Sequence, residues 1–264
     1  MTVLHKQVYG QGDPVIMLHG WAMHTGVWRD FALQMAEQCQ VICVDLPGHG
    51  LSSSVSPYTL DSVVDAIVKE LPGQACAVIG WSLGGNIALR LAEKYPERIN
   101  SLILIASNPR FIKTESWPGM DPQVLKQFAS HLQDNSAQTL LRFMSLQVHG
   151  HPDAKSILKK IQVATQDCAT PAYEVLMAGL SVLQAVDQLK TLSSLKIPVQ
   201  MILGEQDRLV PVSVGEQCRM LLPELELHQI AGAGHVPFIA EQQQVLDRVR
   251  EFMVKNSVCT GHYL

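Results

Sequence analysis

Ser82 lies within Gly80-Trp81-Ser82-Leu83-Gly84-Gly85, between an apolar run at 76–79 and a stretch at 86–95 with apolar residues at helical spacing. A serine on such a strand-to-helix turn is held in a strained conformation with its hydroxyl exposed, and its neighbours two residues away on either side must be small. Gly80 and Gly84 meet that demand. A serine hydroxyl attacks poorly unless a base removes its proton and a carboxylate fixes the tautomer of that base. Behind a nucleophile of this kind the acid precedes the histidine in the chain. The strand-like run at 199–203 leads into Gly204-Glu205-Gln206-Asp207, and the run at 225–230 into Ala231-Gly232-Ala233-Gly234-His235. The candidate catalytic set is therefore Ser82 as nucleophile, His235 as base and Asp207 as acid. Glu205 competes for the acid role, but alternation in so short a loop turns one of the two away, and Asp207 is preferred. The chemistry is acyl transfer through an acyl-enzyme.

Charge that builds on the attacked carbonyl needs preorganised donors. One is the backbone amide of Leu83, at the start of the following helix, where free N–H groups and the helix dipole favour an anion. The second is expected from the loop after the run at 15–18, His19-Gly20-Trp21, with Trp21 giving its backbone N–H and Gly20 allowing close approach. His19 reads as a brace for that loop rather than as a catalyst.

These loops need a scaffold. Strand-like runs at 15–18, 41–45, 76–80, 101–106, 199–203 and 225–230 alternate with helical patterns, which predicts an α/β fold with a mostly parallel central sheet and helices on both faces. The interval 111–187 breaks that rhythm, reads as helical throughout and predicts a lid inserted into a core formed by 1–110 and 188–256, with 257–264 as a flexible tail. At 264 residues and 47% hydrophobic content the chain can bury one large core. A net charge of −4 argues against general affinity for nucleic acid or anionic membranes. No apolar run reaches bilayer length and no secretory leader is evident, so a cytoplasmic, monomeric protein is expected. The six cysteines, at 39, 43, 76, 168, 218 and 259, show no CxxC spacing and read as reduced apolar side chains. His149-Gly150-His151-Pro152-Asp153 lacks partner ligands at a recognised spacing, so no metal is expected. No phosphate-binding glycine motif follows a strand, and no cofactor is expected.

Together with Asp45-Leu46-Pro47-Gly48-His49-Gly50-Leu51-Ser52, these motifs resemble the α/β-hydrolase superfamily over essentially the whole chain. The Gly-Trp-Ser-Leu-Gly-Gly turn, Ala106-Ser107-Asn108-Pro109-Arg110-Phe111 with Trp117-Pro118-Gly119, and Arg142-Phe143-Met144-Ser145-Leu146-Gln147 resemble more narrowly the pimeloyl-acyl carrier protein methyl ester carboxylesterases of biotin synthesis. That resemblance implies removal of a methyl group from a carrier-bound pimeloyl ester. It also implies substrate contacts from Trp21, Phe143, Met144, Ser145, Leu146 and Gln147. Similar triads serve lactonases, carbon–carbon bond hydrolases and broad esterases, and the fold does not choose among them. A dehalogenase or epoxide hydrolase with an aspartate nucleophile is disfavoured by Ser82, and a non-catalytic ligand receptor by the complete trio.

Within the expected lid, Leu140, Leu141, Phe143, Met144 and Val148 read as one apolar helix face, with Arg142 opposite. Further on, Ala154, Ile157, Leu158 and Ile161 share a face, and Lys155 and Lys159 the other. Four basic residues, Arg142, Lys155, Lys159 and Lys160, stand against Asp153 between 140 and 165, a local +3 on an acidic chain. Such a face is either solvated surface or a steering patch for an acidic partner. The resemblance implies the latter, with Arg142, Lys155 and Lys159 docking acyl carrier protein and Gln138 standing where the family has a basic residue. Lysine contributes a point charge where arginine would give two parallel bonds.

Overall fold

The computed structural model describes residues 2–258. Seven strands, β1 (Lys6–Tyr9), β2 (Pro14–Leu18), β3 (Gln40–Val44), β4 (Cys76–Trp81), β5 (Ile99–Ile105), β6 (Val199–Gly204) and β7 (Glu226–Ile230), form one sheet in the order β1-β3-β2-β4-β5-β6-β7. All neighbours run parallel except β1, which pairs antiparallel with β3 at the edge. Every residue of β2, β4 and β6 is buried, as strands covered on both faces require. The half-exposed edge strand β1 has too few apolar residues to stand out in the sequence, and it extends the sheet beyond the expected runs.

The two-residue repeat of a strand sorts the core into two layers. Ile16, Leu18, Val44, Val78, Leu102 and Met201 face α2 (Leu60–Ile67) and α3 (Leu83–Lys94). Val15, Met17, Val41, Ile79, Ile103 and Ile202 face α1 (Arg29–Met35) and the C-terminal helix. Between β5 and β6 lie α4 (Pro122–Asp134), α5 (Ser136–Gln147), α6 (Ala154–Thr165), α7 (Tyr173–Ala185) and α8 (Leu189–Ser194). After β6 come α9 (Ser213–Leu221), α10 (Pro237–Ala240) and α11 (Gln242–Lys255).

Three sequence expectations change. The stretch 111–121 is not helical: it is a looped-back turn with a bridge between Ile112 and Met120, pinned where Trp117 Nε1 donates to Asn108 Oδ1 at 2.9 Å. A side chain at Gly119 would strike the Phe111 carbonyl, which is why the turn needs glycine there. On α5, Leu141 is 51% exposed, beside Arg142 instead of on the buried face, because the face turned toward the core is made by Thr139, Leu140, Phe143, Met144 and Gln147. At the chain's end Val258 is buried in the layer under α11, so the expected tail does not start at 257; positions 259–264, Cys259 included, lie outside the described residues.

Among the described residues no helix is long and apolar enough to cross a membrane.

Candidate active site

Parallel strands deliver their C-terminal ends to one edge of the sheet, and β4, β6 and β7 bring Ser82, Asp207 and His235 there. Ser82 has φ 54° and ψ −119°, a left-handed conformation that costs a non-glycine residue of order 1–3 kcal/mol. The surrounding backbone enforces it. A Cβ on Gly80 would lie 2.5 Å from the Gly84 carbonyl, and one on Gly84 would lie 2.3 Å from the Leu18 carbonyl. Ser107 Oγ, at the tip of the adjacent strand, donates to the Ser82 carbonyl at 2.9 Å.

Asp207 and His235 are joined: Asp207 Oδ2 lies 2.7 Å from His235 Nδ1, and both side chains are buried. The other carboxylate oxygen, Oδ1, accepts the Leu209 and Val210 amides at 2.8 and 3.0 Å, which fixes the carboxylate plane. Glu205, the competing acid, is exposed and accepts the Gly232 amide, its one side-chain bond among the described residues. With Nδ1 committed to Asp207, the proton-accepting nitrogen of neutral His235 is Nε2. Nε2 is buried and has no hydrogen-bond partner among the described residues, so the link to Ser82 is open here. Such links are often long until substrate binds.

The Leu83 amide follows the serine in the chain, and the loop that leads into Trp21 passes beside it. The Leu83 amide is the first of α3 and has no acceptor within its own helix. A Cβ on Gly20 would come within 3.3 Å of Ser82 Cβ, so the chain leading into Trp21 passes directly beside the hydroxyl-bearing residue. His19 braces this loop from below: Nδ1 meets the Gly20 carbonyl at 2.8 Å while Nε2 accepts the Leu46 amide at 2.9 Å. Burial, reinforced by the neighbouring His49, holds His19 neutral far below the usual histidine range. Burial likewise pushes His49 down to about 4, against the opposing bond to the Pro47 carbonyl.

Of the expected substrate contacts, Trp21, Phe143, Met144 and Gln147 turn inward. The Trp21 ring packs edge-on against Phe143 and Phe128 at 5.0 and 5.6 Å, and its Nε1 donates to the Leu176 carbonyl at 2.9 Å. Phe143 and Met144 line a cavity of ≈ 60 Å³ with Ala22, Met23 and His24. Gln147 is fully buried, and neither side-chain amide atom has a partner among the described residues. Ser145 and Leu146 do not join this group. They lie with Leu141 and Arg142 in a shallow hollow on the outer face of α5, as a helix turning 100° per residue dictates for neighbours of an inward Met144. Arg142, Lys155 and Lys159 are all exposed, but Lys159 lines a different cleft, of ≈ 840 Å³, between α6 and the segment around Arg29.

Two contacts escaped the sequence. Trp81 Nε1 donates to the His235 carbonyl at 2.8 Å, and the His235 amide donates to the Gln147 carbonyl at 2.8 Å. Neither residue type signals such a bond. Ser107 could have been found, because the pairing of Trp81 with Ile105 sets the end of β5 next to Ser82.

The sequence pattern of a family described as alpha/beta hydrolase fold matches residues 13–242. A pimeloyl-acyl carrier protein methyl ester esterase from Nitrosomonas europaea is 37% identical over 245 residues, covering 92% of this chain and 97% of that protein. Proteins of the same name from Methylococcus capsulatus and Vibrio parahaemolyticus are each 35% identical, over 96% and 95% of this chain and 99% and 98% of their own. Among solved structures, an esterase from Exiguobacterium antarcticum superposes with a TM-score of 0.85 at 20% identity, each chain covered to 96%. An enol-lactonase from Burkholderia xenovorans gives 0.81 at 17% identity, with 96% of this chain and 97% of that one covered. These distant likenesses speak for the fold alone.

Proposed function

The chain belongs to the α/β-hydrolase family and, within it, to the pimeloyl-acyl carrier protein methyl ester esterases, and we propose that it removes the methyl group from a pimeloyl ester held on acyl carrier protein. The observation that carries the catalytic part is the buried Asp207–His235 bond of 2.7 Å at the sheet edge where Ser82 occupies its left-handed turn.

In this reading the Ser82 hydroxyl attacks the ester carbonyl as His235 Nε2 takes its proton, and Asp207 stabilises the imidazolium through Nδ1. The tetrahedral oxyanion rests between the Leu83 and Trp21 amides. Collapse of the intermediate breaks the bond to the methoxy oxygen, which leaves as methanol with the proton from His235. Water, deprotonated by the same nitrogen, then attacks the acyl-enzyme. The carboxylate departs and Ser82 regains its proton. Phe143, Met144 and the ring of Trp21 supply apolar wall for the acyl chain, and the Gln147 amide supplies a buried polar contact. The segment 111–187 serves as the lid. Arg142, Lys155 and Lys159 on its outer surface steer the acidic carrier, and the protein works as a cytoplasmic monomer without cofactor or metal.

The test compares kcat/KM for pimeloyl-carrier methyl ester with that for the same ester lacking the carrier, at low and high salt. A carrier preference that fades as the Debye length shrinks from about 10 Å at 0.1 M to about 3 Å at 1 M is the expected result. Equal, salt-independent rates would overturn the docking assignment and leave a general esterase.

A further inference from the structure

His235 is held by more than its bond to Asp207. Its loop, from Ala231 to Gly234, consists of small residues; Ala233 is buried in the core and its carbonyl accepts the Gln206 amide at 2.9 Å, but none of them reaches the imidazole. The backbone on either side of the imidazole is instead gripped from outside. The N–H is taken by the Gln147 carbonyl at the end of α5, and the C=O accepts the Trp81 indole N–H, both at 2.8 Å. Trp81 is the last residue of β4 and the immediate neighbour of Ser82, so one rigid strand holds the nucleophile by its chain and the base by this bond. The indole is itself immobile. It is 1% exposed and packs against Trp28 and Phe238 at 6.3 and 5.2 Å.

We propose that Trp81 is a positioning residue for His235, its indole N–H setting the distance between the base and the serine that follows it in the chain. This rests on Ser82 and His235 being the reacting pair. The bond does not touch substrate, and it acts by fixing where Nε2 points. A misplacement of about 1 Å between reacting groups can cost about 100-fold, and Nε2 itself has no hydrogen-bond partner among the described residues to hold it.

The structure contains its own control. Trp28 belongs to the same aromatic cluster and is fully buried, yet its Nε1 has no hydrogen-bond partner among the described residues. Trp81→Phe and Trp28→Phe both trim the same aromatic cluster, and the former alone touches the histidine, through the bond to its carbonyl and through the ring that packs 5.8 Å from the imidazole. Four readouts are compared for both variants and wild type. They are thermal midpoint, kcat and KM on a soluble methyl ester, the rate of Ser82 labelling by a fluorophosphonate, and the low-field NMR resonance of the proton shared by His235 and Asp207.

The expected result is that Trp81→Phe lowers kcat about 10–100-fold with KM little changed, slows labelling in proportion, and broadens or shifts the low-field proton, while Trp28→Phe keeps wild-type values of all three. Wild-type kcat and an unaltered low-field proton in folded Trp81→Phe would overturn the proposal. So would equal losses in the two variants. Should Trp81→Phe not fold, Gly234→Ala attacks the other grip, since its Cβ would lie 2.4 Å from the Gln147 carbonyl and must push the histidine loop off α5. It is expected to show the same signature, and unchanged kcat and low-field proton would count against positioning. Failure of the functional reading is separately visible, because Ser82→Ala would then hydrolyse the ester as wild type does, while the NMR readout still reports on the geometry of His235.

Discussion

Around Ser82 the backbone approaches itself more closely than a side chain would permit at Gly80 and Gly84, whose added Cβ atoms would lie 2.5 and 2.3 Å from carbonyl oxygens, and Gly20 sits tightly against the Trp81 ring, where an added Cβ would lie at 3.2 Å. A few residues of chain away in space, α5 presents Leu141 and Leu146 to solvent at 51% and 39% exposure, and holds the core through one stripe only. Both regions end at the same histidine loop, one through Trp81 and the other through Gln147. The first has almost no freedom to vary its residues, because sterics and hydrogen bonds define each position. The second must keep its inward stripe, and its outer face is open to change. Precision resides in the sheet edge, while the inserted helices supply cover and surface.

The contrast can be broken most strongly at the sheet edge. Ser82→Ala is expected to cut kcat by at least about 10⁴-fold, and Asp207→Asn by about 10⁴-fold because the wrong histidine tautomer is then favoured. Circular dichroism and thermal melts should show both proteins folded, and an active Ser82→Ala would remove the nucleophile assignment. Next in size are packing changes. Ile161→Ala, which truncates a fully buried contact of α6, should cost about 2–5 kcal/mol in denaturant unfolding. A loss as small as a surface substitution gives would mean that the inserted helices are not cooperatively packed on the core.

Acid should reveal the loop beneath the site. His49 titrates at about 4 when folded against an ordinary value of 6.5, so between these pH values the unfolded chain binds the proton and the folded one does not. Stability is therefore fully present above about 6.5 and falls as the pH drops below it, by up to about 1.4 kcal/mol per unit for each such histidine. His19, depressed for the same reason, adds to that slope. His49→Asn, which keeps a donor for the Pro47 carbonyl, should flatten the dependence of melting temperature on pH between 6.5 and 5. An unchanged slope would assign the effect elsewhere. The smallest effect is expected from Leu141→Ser, within about 0.5 kcal/mol; a cost like that of Ile161→Ala would erase the distinction between the two faces of the insertion.

The legibility of the sequence follows the same division. Ser82, Asp207 and His235 could be read because strained turns and loops after buried strands demand glycine at fixed spacings from the serine, the carboxylate and the histidine. The acid assignment came out of local alternation, and the structure pairs Asp207, and not Glu205, with the histidine. On α5, by contrast, five apolar residues in nine suggested a broader buried face than exists, since periodicity cannot tell a core stripe from an exposed leucine. Ser145 and Leu146 were carried into the site by resemblance, and the helical turn carries them out again. The bonds made by Trp81 and Gln147 were invisible because they depend on where loops 154 and 88 residues distant settle. The edge strand β1 hid because Val8 and Tyr9 are too short an apolar run to stand out after Lys6 and Gln7.

The order of the sheet also bears on how the protein comes into being on the ribosome. The strand carrying Ser82 lies between β2 and β5, both made early, while Asp207 and His235 arrive on the two strands added last, beyond the whole helical insertion. Through most of its synthesis the growing chain can hold a bent serine but no base to deprotonate it. With the roles proposed for Ser82, Asp207, His235 and Trp81, hydrolytic competence waits until β7 has docked and the loop after it has met Trp81, and a chain cut short before residue 235 is expected to be chemically silent however well its first half had folded.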